Sequence, residues 1–147
     1  MIIESDAFKN GAEIPSRFTC DGEGMSPELT FKDVPKETKS LTLIVDDPDA
    51  VGGKIWVHWV LWNISPDTKK IRESSTPVGA VVGENSWPKN EYGGPCPPNG
   101  SHRYFFKLYA LDTILNLPKT SRSPDLMTAM KDHILSQAEL MGRYQRK

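Results

Sequence analysis

Segments rich in β-branched, aromatic and aliphatic residues recur along the chain, and clusters of glycine, proline, asparagine and aspartate separate them. This pattern predicts strands joined by turns. The predicted strands comprise residues 1–8, 28–32, 40–45, 54–64, 69–73 and 101–111. Both faces of 54–64 are largely apolar, so we expect this strand inside a sheet that is covered on both sides. Regular alternation places His58 and Val60 on one face of it, and Trp59 and Leu61 on the other.

The strand at 101–111 carries polar chemistry at its start. Alternation places five side chains on one face, namely His102, Tyr104, Phe106, Leu108 and Ala110. The preceding loop, 93–100, contains three prolines and three glycines, so it cannot form regular secondary structure. An imidazole and a phenol therefore point the same way beside exposed backbone groups. This arrangement suits a pocket for a small anion or another polar ligand.

A second set of polar residues follows the strand at 40–45, where Pro48 keeps Asp47 extended. The candidate binding residues lie on or next to the strands at 40–45, 54–64 and 101–111. They are Asp47, Asp49, His58, His102 and Tyr104. A carboxylate beside an imidazole favours the imidazolium form, which attracts phosphate or carboxylate groups. The alternative interpretation is structural: His58 is then a core histidine bonded to Asp47, and the aspartates form only a turn.

The clearest helix signal is the triplet Ser123–Asp125, with serine as N-cap, proline at the first helical position and aspartate in the first turn. Apolar residues then recur at helical spacing, at Leu126, Met130, Ile134, Ala138 and Met141. We therefore predict an amphipathic helix over 124–141 that ends near Gly142 and packs on a sheet.

The chain has 147 residues, which fits a single domain over residues 1–147 with a core of its own. Its formal net charge is −1, and the only basic block is the short tail at 143–147, so we expect no nucleic-acid partner. No segment approaches the roughly 20 apolar residues of a membrane helix. The N-terminus lacks a basic region followed by an apolar stretch, and we expect a cytoplasmic protein.

Other kinds of site find less support in the residues. Two histidines and two aspartates lack the short spacings of common metal sites, so we expect no metal and no cofactor. The motifs G-x-S-x-G and the P-loop do not occur, and no catalytic residue is assigned. A Cys96–His102 dyad and a histidine base in a hydrolase or isomerase stay open as alternatives. Cys20 and Cys96 both lie in loops rich in glycine and proline, so a disulfide and a reduced pair both fit the sequence.

Four motifs, taken in order, resemble the phosphatidylethanolamine-binding protein family, whose eukaryotic branch includes the Raf kinase inhibitor protein. These motifs are Asp46–Ala50, Trp56 with His58, Gly93–Pro98 and His102–Tyr104. The segments Thr19–Gly22 and His133–Leu140 are similar to the short bacterial and archaeal branch. The resemblance covers almost the whole chain.

This resemblance implies a mainly β fold of two antiparallel sheets, a β-sandwich, with an α-helix near the C-terminus. It also implies a small pocket for phosphate, phosphorylated head groups or other small anions. By position, the residues that line or shape this pocket are Asp47, Trp56, His58, Gly94, Pro95, Pro98, His102 and Tyr104. Asp49 corresponds to a support for the loop rather than to a direct ligand.

The expected function is that of a non-enzymatic binding protein for a small anionic or phosphorylated ligand, with Asp47 orienting His58. Family members have also been assigned roles as protease or kinase inhibitors, so a protein–protein regulator is the alternative, and relatives suggest a homodimer. The sequence departs from relatives at 83–88, where they more often have an Asn-Asp pair, and we expect Trp87 to reshape the pocket rim. The longer C-terminal extension of eukaryotic members is missing, which weakens the case for kinase or membrane-head-group regulation.

Overall fold

The computed structural model describes residues 1–147 and contains eight strands and one α-helix. The strands are β1 (Ile2–Glu4), β2 (Leu29–Lys32), β3 (Ser40–Asp47), β4 (Trp56–Ile64), β5 (Lys70–Ile71), β6 (Val81–Val82), β7 (His102–Leu111) and β8 (Ile134–Tyr144). The helix α1 spans Ser123–Met130, and a 3₁₀ turn spans Ser16–Phe18. All six predicted strands are present, although the one at 1–8 is only three residues long and the one at 69–73 only two.

The strands form two antiparallel sheets. The larger has the order β6-β4-β3-β7-β8, and the smaller has the order β1-β2-β5. Strand β4 lies inside the larger sheet, as its two apolar faces predicted. The expected fold class, mainly β with one helix towards the C-terminus, is therefore confirmed.

Apolar side chains on both faces of the larger sheet hold the layers together. The smaller sheet covers one face and contributes Ile3, Phe31 and Ile71 to the main core. Helix α1 covers the other face through Leu126 and Met130. Each fully buried side chain of this size stabilises the fold by about 1.5–3 kcal/mol, so burial on two sides makes the larger sheet a rigid frame for its strand ends.

The predicted helix over 124–141 is wrong in its second half. Helix α1 ends at Met130, Asp132 adopts a left-handed conformation with φ of 69°, and β8 then pairs with β7 along its whole length. The apolar positions that suggested a helix are mostly four residues apart, a spacing that also fits alternate positions of a strand. Gly142 lies inside β8 rather than at a helix end. A membrane-spanning helix is not found among these elements.

Strand β4 departs from regular alternation at His58. Val45 pairs with Trp59 and Asp46 pairs with Val57, so His58 is an extra residue in the ladder. Such a β-bulge turns the following part of a strand relative to the preceding part. His58 therefore points to the same side as Trp59, and its predicted place on the opposite face is wrong. β4 has a second extra residue between Leu61 and Ile64, and this bulge turns Ile64 into the main core in the same way.

Candidate functional site

A cavity of about 350 Å³ opens at one edge of the larger sheet, where β3 ends and where β4 and β7 begin. The residues predicted from the sequence that line it are Asp47, Trp56, His58, Pro98, His102 and Tyr104. The other lining residues are Ala50, Val51, Trp87, Cys96 and Pro97. Antiparallel pairing of β3 with both neighbours brings these strand ends together, which short-range spacing in the sequence could not reveal.

A larger depression of about 660 Å³ lies elsewhere, between 30–38 and 66–69. Lysines, aspartates and threonines line most of it, and it contains no histidine. Most of those side chains are exposed. We therefore place the candidate site in the smaller cavity, where buried ionisable groups converge.

His102 is held by Asp47. The Nδ1 atom of His102 lies 2.7 Å from Oδ2 of Asp47, and both side chains are buried. The carboxylate accepts this hydrogen bond, so Nδ1 carries a hydrogen and Nε2 is left for a ligand. The other oxygen of Asp47 accepts a 2.7 Å hydrogen bond from the backbone nitrogen of Asp49, which fixes the carboxylate. The expectation that Asp47 orients His58 is thus wrong: Asp47 orients His102.

His58 is held by the glycine loop instead. Its Nδ1 atom lies 2.7 Å from the carbonyl oxygen of Gly93, and the backbone nitrogen of Gly93 donates to the carbonyl of His58 at 2.9 Å. The ring packs edge-on against the rings of Trp87 and Tyr104, with centroids 5.0 and 5.2 Å away. Burial lowers the pKa of His58 below its usual value. The ring is therefore favoured in its neutral form.

The Nε2 atoms of both histidines are open to the cavity. Neither atom has a hydrogen-bond partner in the protein, and neither is sealed from solvent. Tyr104 adds a hydroxyl that is buried and has no partner. Burial raises the pKa of Tyr104, with a further contribution from the negative charge of Asp47, so the hydroxyl stays protonated and able to donate.

Asp49 supports the site without lining the cavity. Its carboxylate accepts hydrogen bonds from the backbone nitrogen, Nε and a terminal nitrogen of Arg103, at 3.0, 2.8 and 2.8 Å. These bonds lower the pKa of Asp49 to about 2. The pair ties the loop after β3 to the start of β7 on the side of the strand away from His102.

The glycine and proline loop is anchored to a second loop. Cys96 forms a disulfide with Cys20, and the backbone nitrogen of Cys20 donates to the carbonyl of Pro95 at 3.1 Å. Gly94 lies so close to this second loop that a Cβ atom would come within 2.9 Å of the carbonyl oxygen of Phe18. Gly94 and Pro95 therefore hold the loop in place and do not line the cavity, unlike the other predicted residues.

Five lining residues were not among the predicted ligand residues: Cys96 and Pro97 belong to the glycine and proline loop, and the other three come from two further loops. Ala50 and Val51 come from the loop after β3, and the sequence offered no signal for them beyond their place next to the aspartates. Trp87 closes the cavity from the loop at 83–88, the segment in which the sequence departs from relatives. Its ring lies edge-on to Trp56, with centroids 5.4 Å apart. Together these side chains make an apolar wall around the polar floor.

These features define a class of protein: a two-sheet β fold with a histidine- and tyrosine-lined cavity at its strand ends. A model of the phosphatidylethanolamine-binding protein family matches residues 4–145. A UPF0098 protein of Methanothermobacter thermautotrophicus is 48% identical over 151 residues, with 99% of each chain covered. A UPF0098 protein of Chlamydia pneumoniae is 45% identical over 150 residues, again with 99% of each chain covered.

Two solved structures share the whole fold. A phosphatidylethanolamine-binding protein homologue from Chlamydia trachomatis superposes with a TM-score of 0.95 at 41% identity, covering 99% of this chain and 97% of that one. Escherichia coli YbcL, described as a new member of the mammalian family, gives a TM-score of 0.92 at 30% identity, covering 99% and 98%. The chain belongs to the phosphatidylethanolamine-binding protein family, in its short microbial branch.

Proposed function

We propose that this protein is a non-enzymatic binding protein that holds a small anionic ligand, phosphate or a phosphorylated compound, in the cavity at the strand ends. The observation that carries this proposal is the convergence of two open imidazole nitrogens on one cavity, which the ring of Tyr104 also lines. Buried polar groups without partners gain most from a ligand that pairs with them.

His102 supplies the cationic group in this proposal. When its Nε2 carries a second proton, the Asp47 carboxylate at 2.7 Å balances the charge on the other side of the ring. The Nε2–H group then donates a charge-assisted hydrogen bond to a ligand oxygen. The hydroxyl of Tyr104 is sealed from solvent in the unliganded protein, so it becomes a second donor only if the cavity wall moves when the ligand binds.

The apolar wall strengthens these interactions and limits what fits. Trp56, Trp87 and Val51 place apolar surface beside the polar floor, and hydrogen bonds to charge are stronger where the local dielectric is low. A volume of about 350 Å³ is near the small end of the range for ligand sites. The cavity therefore accommodates a phosphate group with a small organic substituent.

One observation favours a second candidate function. The Asp47–His102 pair, with Nε2 open to the cavity, has the geometry of a general-base pair, so proton abstraction or hydrolysis is the alternative to simple binding. The Cys96–His102 dyad considered from the sequence lacks a thiol, because Cys96 is in a disulfide. Turnover of an ester and phosphoester panel that is lost in His102→Ala would support this alternative.

A regulatory protein partner, a homodimer and a cytoplasmic location remain predictions that rest on the family and on the sequence. The anion proposal is tested by following the imidazole resonances by NMR during titration with phosphate and phosphoethanolamine. His58 and His102 should shift, while His133, a half-exposed histidine paired with Asp112, serves as internal control. Unmoved resonances of His58 and His102 at millimolar ligand would refute the proposal.

A further inference from the structure

A separate cavity of about 370 Å³, which we call the Trp59 cavity, lies away from the two histidines. It is bounded by the loop before β2, the loop after β5, strand β6 and the segment 90–92, and Trp59 of β4 lines it from the main core. It shares no lining residue with the cavity at the strand ends. What it binds is therefore a question independent of the anion proposal.

Trp59 brings a hydrogen-bond donor to this cavity. Its side chain is only 1% exposed, and its ring lies edge-on to the ring of Tyr92, with centroids 5.4 Å apart. The Nε1–H group of Trp59 has no partner in the protein and is not sealed from solvent, whereas Nε1 of Trp62 is sealed. An indole nitrogen can only donate. A ligand in the Trp59 cavity must therefore offer an acceptor to this group.

Ser26 brings a second polar group to the same cavity. The residue is 5% exposed, and its Oγ has no partner in the protein and is not sealed from solvent. The backbone carbonyl of Ser26 accepts a hydrogen bond from the nitrogen of Ser74 at 3.0 Å, which fixes the backbone and leaves the hydroxyl free. Two buried polar side chains without partners thus line one cavity. Groups of this kind gain most from a ligand that pairs with them.

The walls of the cavity are held in place by bonds within the protein. The hydroxyl of Tyr92 donates to the carbonyl oxygen of Phe18 at 2.8 Å. The side-chain nitrogen of Asn90 donates to the carbonyl oxygen of Val82 at 3.0 Å, so its Oδ1 atom is left for a ligand. A cavity with fixed walls loses little conformational entropy when a ligand binds.

The charges around the cavity indicate the class of ligand. No lysine, arginine or histidine lines it, so an anion finds no opposite charge there. Arg17 contacts the sulfur of Met25 in the lining, but it is paired with Glu73. Glu91 contributes one carboxylate, and a cation drawn to it would meet the positive end of the Trp59 N–H dipole. The lining therefore suits a neutral ligand that both donates and accepts hydrogen bonds.

We propose that the Trp59 cavity binds a neutral polyhydroxylated ligand, a monosaccharide unit or a comparable polyol. Each hydroxyl of such a ligand donates and accepts, which matches the donor of Trp59, the hydroxyls of Ser26 and Ser74–Thr76, and the carboxylate of Glu91. The rings of Trp59 and Tyr92 supply apolar surface for the C–H groups of a sugar ring. A volume of about 370 Å³ is near the small end of the range for ligand sites, so one sugar ring fits.

The test follows the indole N–H resonances of the four tryptophans by nitrogen-15 NMR. The probes are methyl glucoside, methyl galactoside and inositol, and the spectrum of Trp59→Phe identifies the Trp59 resonance. At least one of these polyols should shift the Trp59 resonance in a saturable way at millimolar concentration. The resonances of Trp56 and Trp87, which line the other cavity, should stay in place.

A conservative variant tests the predicted contact with Ser26. Ser26→Ala removes the hydroxyl and keeps the backbone bond to Ser74, so the fold should be retained. The loss of one hydrogen bond to the ligand should weaken polyol binding by about 2- to 12-fold. Ser136→Ala is the matched control, because Ser136 lies on β8 outside both cavity linings, and it should leave the affinity unchanged.

Three further probes decide between ligand classes. Inorganic phosphate, ethanolamine and N-methylacetamide represent an anion, a cation and a peptide amide, and none should match the polyols at the Trp59 resonance. A Trp59 resonance that none of the three polyols moves would overturn the proposal, and so would wild-type affinity in Ser26→Ala. A shift caused by phosphate, ethanolamine or the amide in place of the polyols would also overturn it, because the cavity would then serve another class of ligand.

Discussion

His102 donates the hydrogen on its Nδ1 to Oδ2 of Asp47 at 2.7 Å, although the two residues are 55 positions apart in the chain. Both are buried at the edge of the larger sheet, where β7 begins beside the end of β3. This pairing aims the other ring nitrogen into the cavity. The sheet order therefore decides which ring nitrogen of His102 is available to a ligand in the cavity.

Replacing Asp47 by asparagine should destabilise the protein and impair the site. The carboxylate accepts two hydrogen bonds, and a buried hydrogen bond to a charged group contributes about 1.5–3 kcal/mol. Urea unfolding of Asp47→Asn at pH 7 measures the loss. Asp112→Asn is the matched control: it breaks a His–Asp pair with the same 2.7 Å geometry, but both side chains are about half exposed. The control should lose less than about 1 kcal/mol, and equal losses in the two variants would contradict the account.

Stability should depend on pH through His58 in a definite direction. Burial lowers its pKa in the folded protein below the value of about 6.5 in the unfolded chain. The unfolded chain therefore takes up the proton first, so the contribution of neutral His58 is complete above pH 6.5 and is lost as the pH falls below it. The difference in unfolding free energy between wild type and His58→Asn should shrink from pH 7 to pH 5. A difference that stays constant, or grows, over this range would contradict the assigned neutral state.

The disulfide between Cys20 and Cys96 should contribute substantially to stability. The two residues are 76 positions apart, and closing a loop of that length corresponds to about 4 kcal/mol in the chain-entropy model. Urea unfolding with and without reductant measures this, and the Cys20→Ser, Cys96→Ser double variant should be insensitive to reductant. Disulfides are rare in the cytosol. Alkylation of the thiols in freshly lysed cells therefore also tests the cytoplasmic location, which predicts reduced cysteines.

Two alanine substitutions distinguish a strand from a helix over 134–144. In β8, Leu140 is 2% exposed and packs in the main core, whereas Ile134 is 38% exposed. The helix expected from the sequence would instead bury Ile134 on its apolar stripe. Leu140→Ala should cost about 2–5 kcal/mol and Ile134→Ala less than about 1 kcal/mol. The reverse order in urea unfolding would contradict the strand.

The main strands were predictable because their apolar runs are long and their ends coincide with glycine or proline. The start of α1 was predictable to within one residue: Arg122 is the N-cap and Ser123 the first helical residue, whereas Ser123 was the predicted cap, and Asp125 accepts from the backbone nitrogen of Arg122. The end of α1 was not predictable. Apolar residues continue at every fourth position from Leu126 to Ala138, a spacing that fits both a helix and a strand. Only the pairing of β8 with β7 decides between these two structures. Long-range pairing of this kind leaves no trace in local periodicity.

Six of the eight residues expected in the candidate site line the cavity, but their hydrogen-bond partners were not predictable. His102 and Tyr104 share a face of β7 by simple alternation, and both line the cavity. The bulge at His58 reverses the side on which that ring lies, and the sequence contains no signal for the extra residue. Asp47 bonds to His102 rather than to His58, and His58 bonds to Gly93 instead. Both pairings depend on that bulge and on the sheet order.

The central claim, an anion cavity built on His102, is tested most directly by thermal unfolding with increasing phosphoethanolamine. Wild-type protein should gain stability in proportion to the logarithm of ligand concentration once the site fills. His102→Ala should lose that dependence, while His133→Ala should retain it. A wild-type melting temperature that does not move with ligand, or one that moves equally in His102→Ala, would contradict the claim.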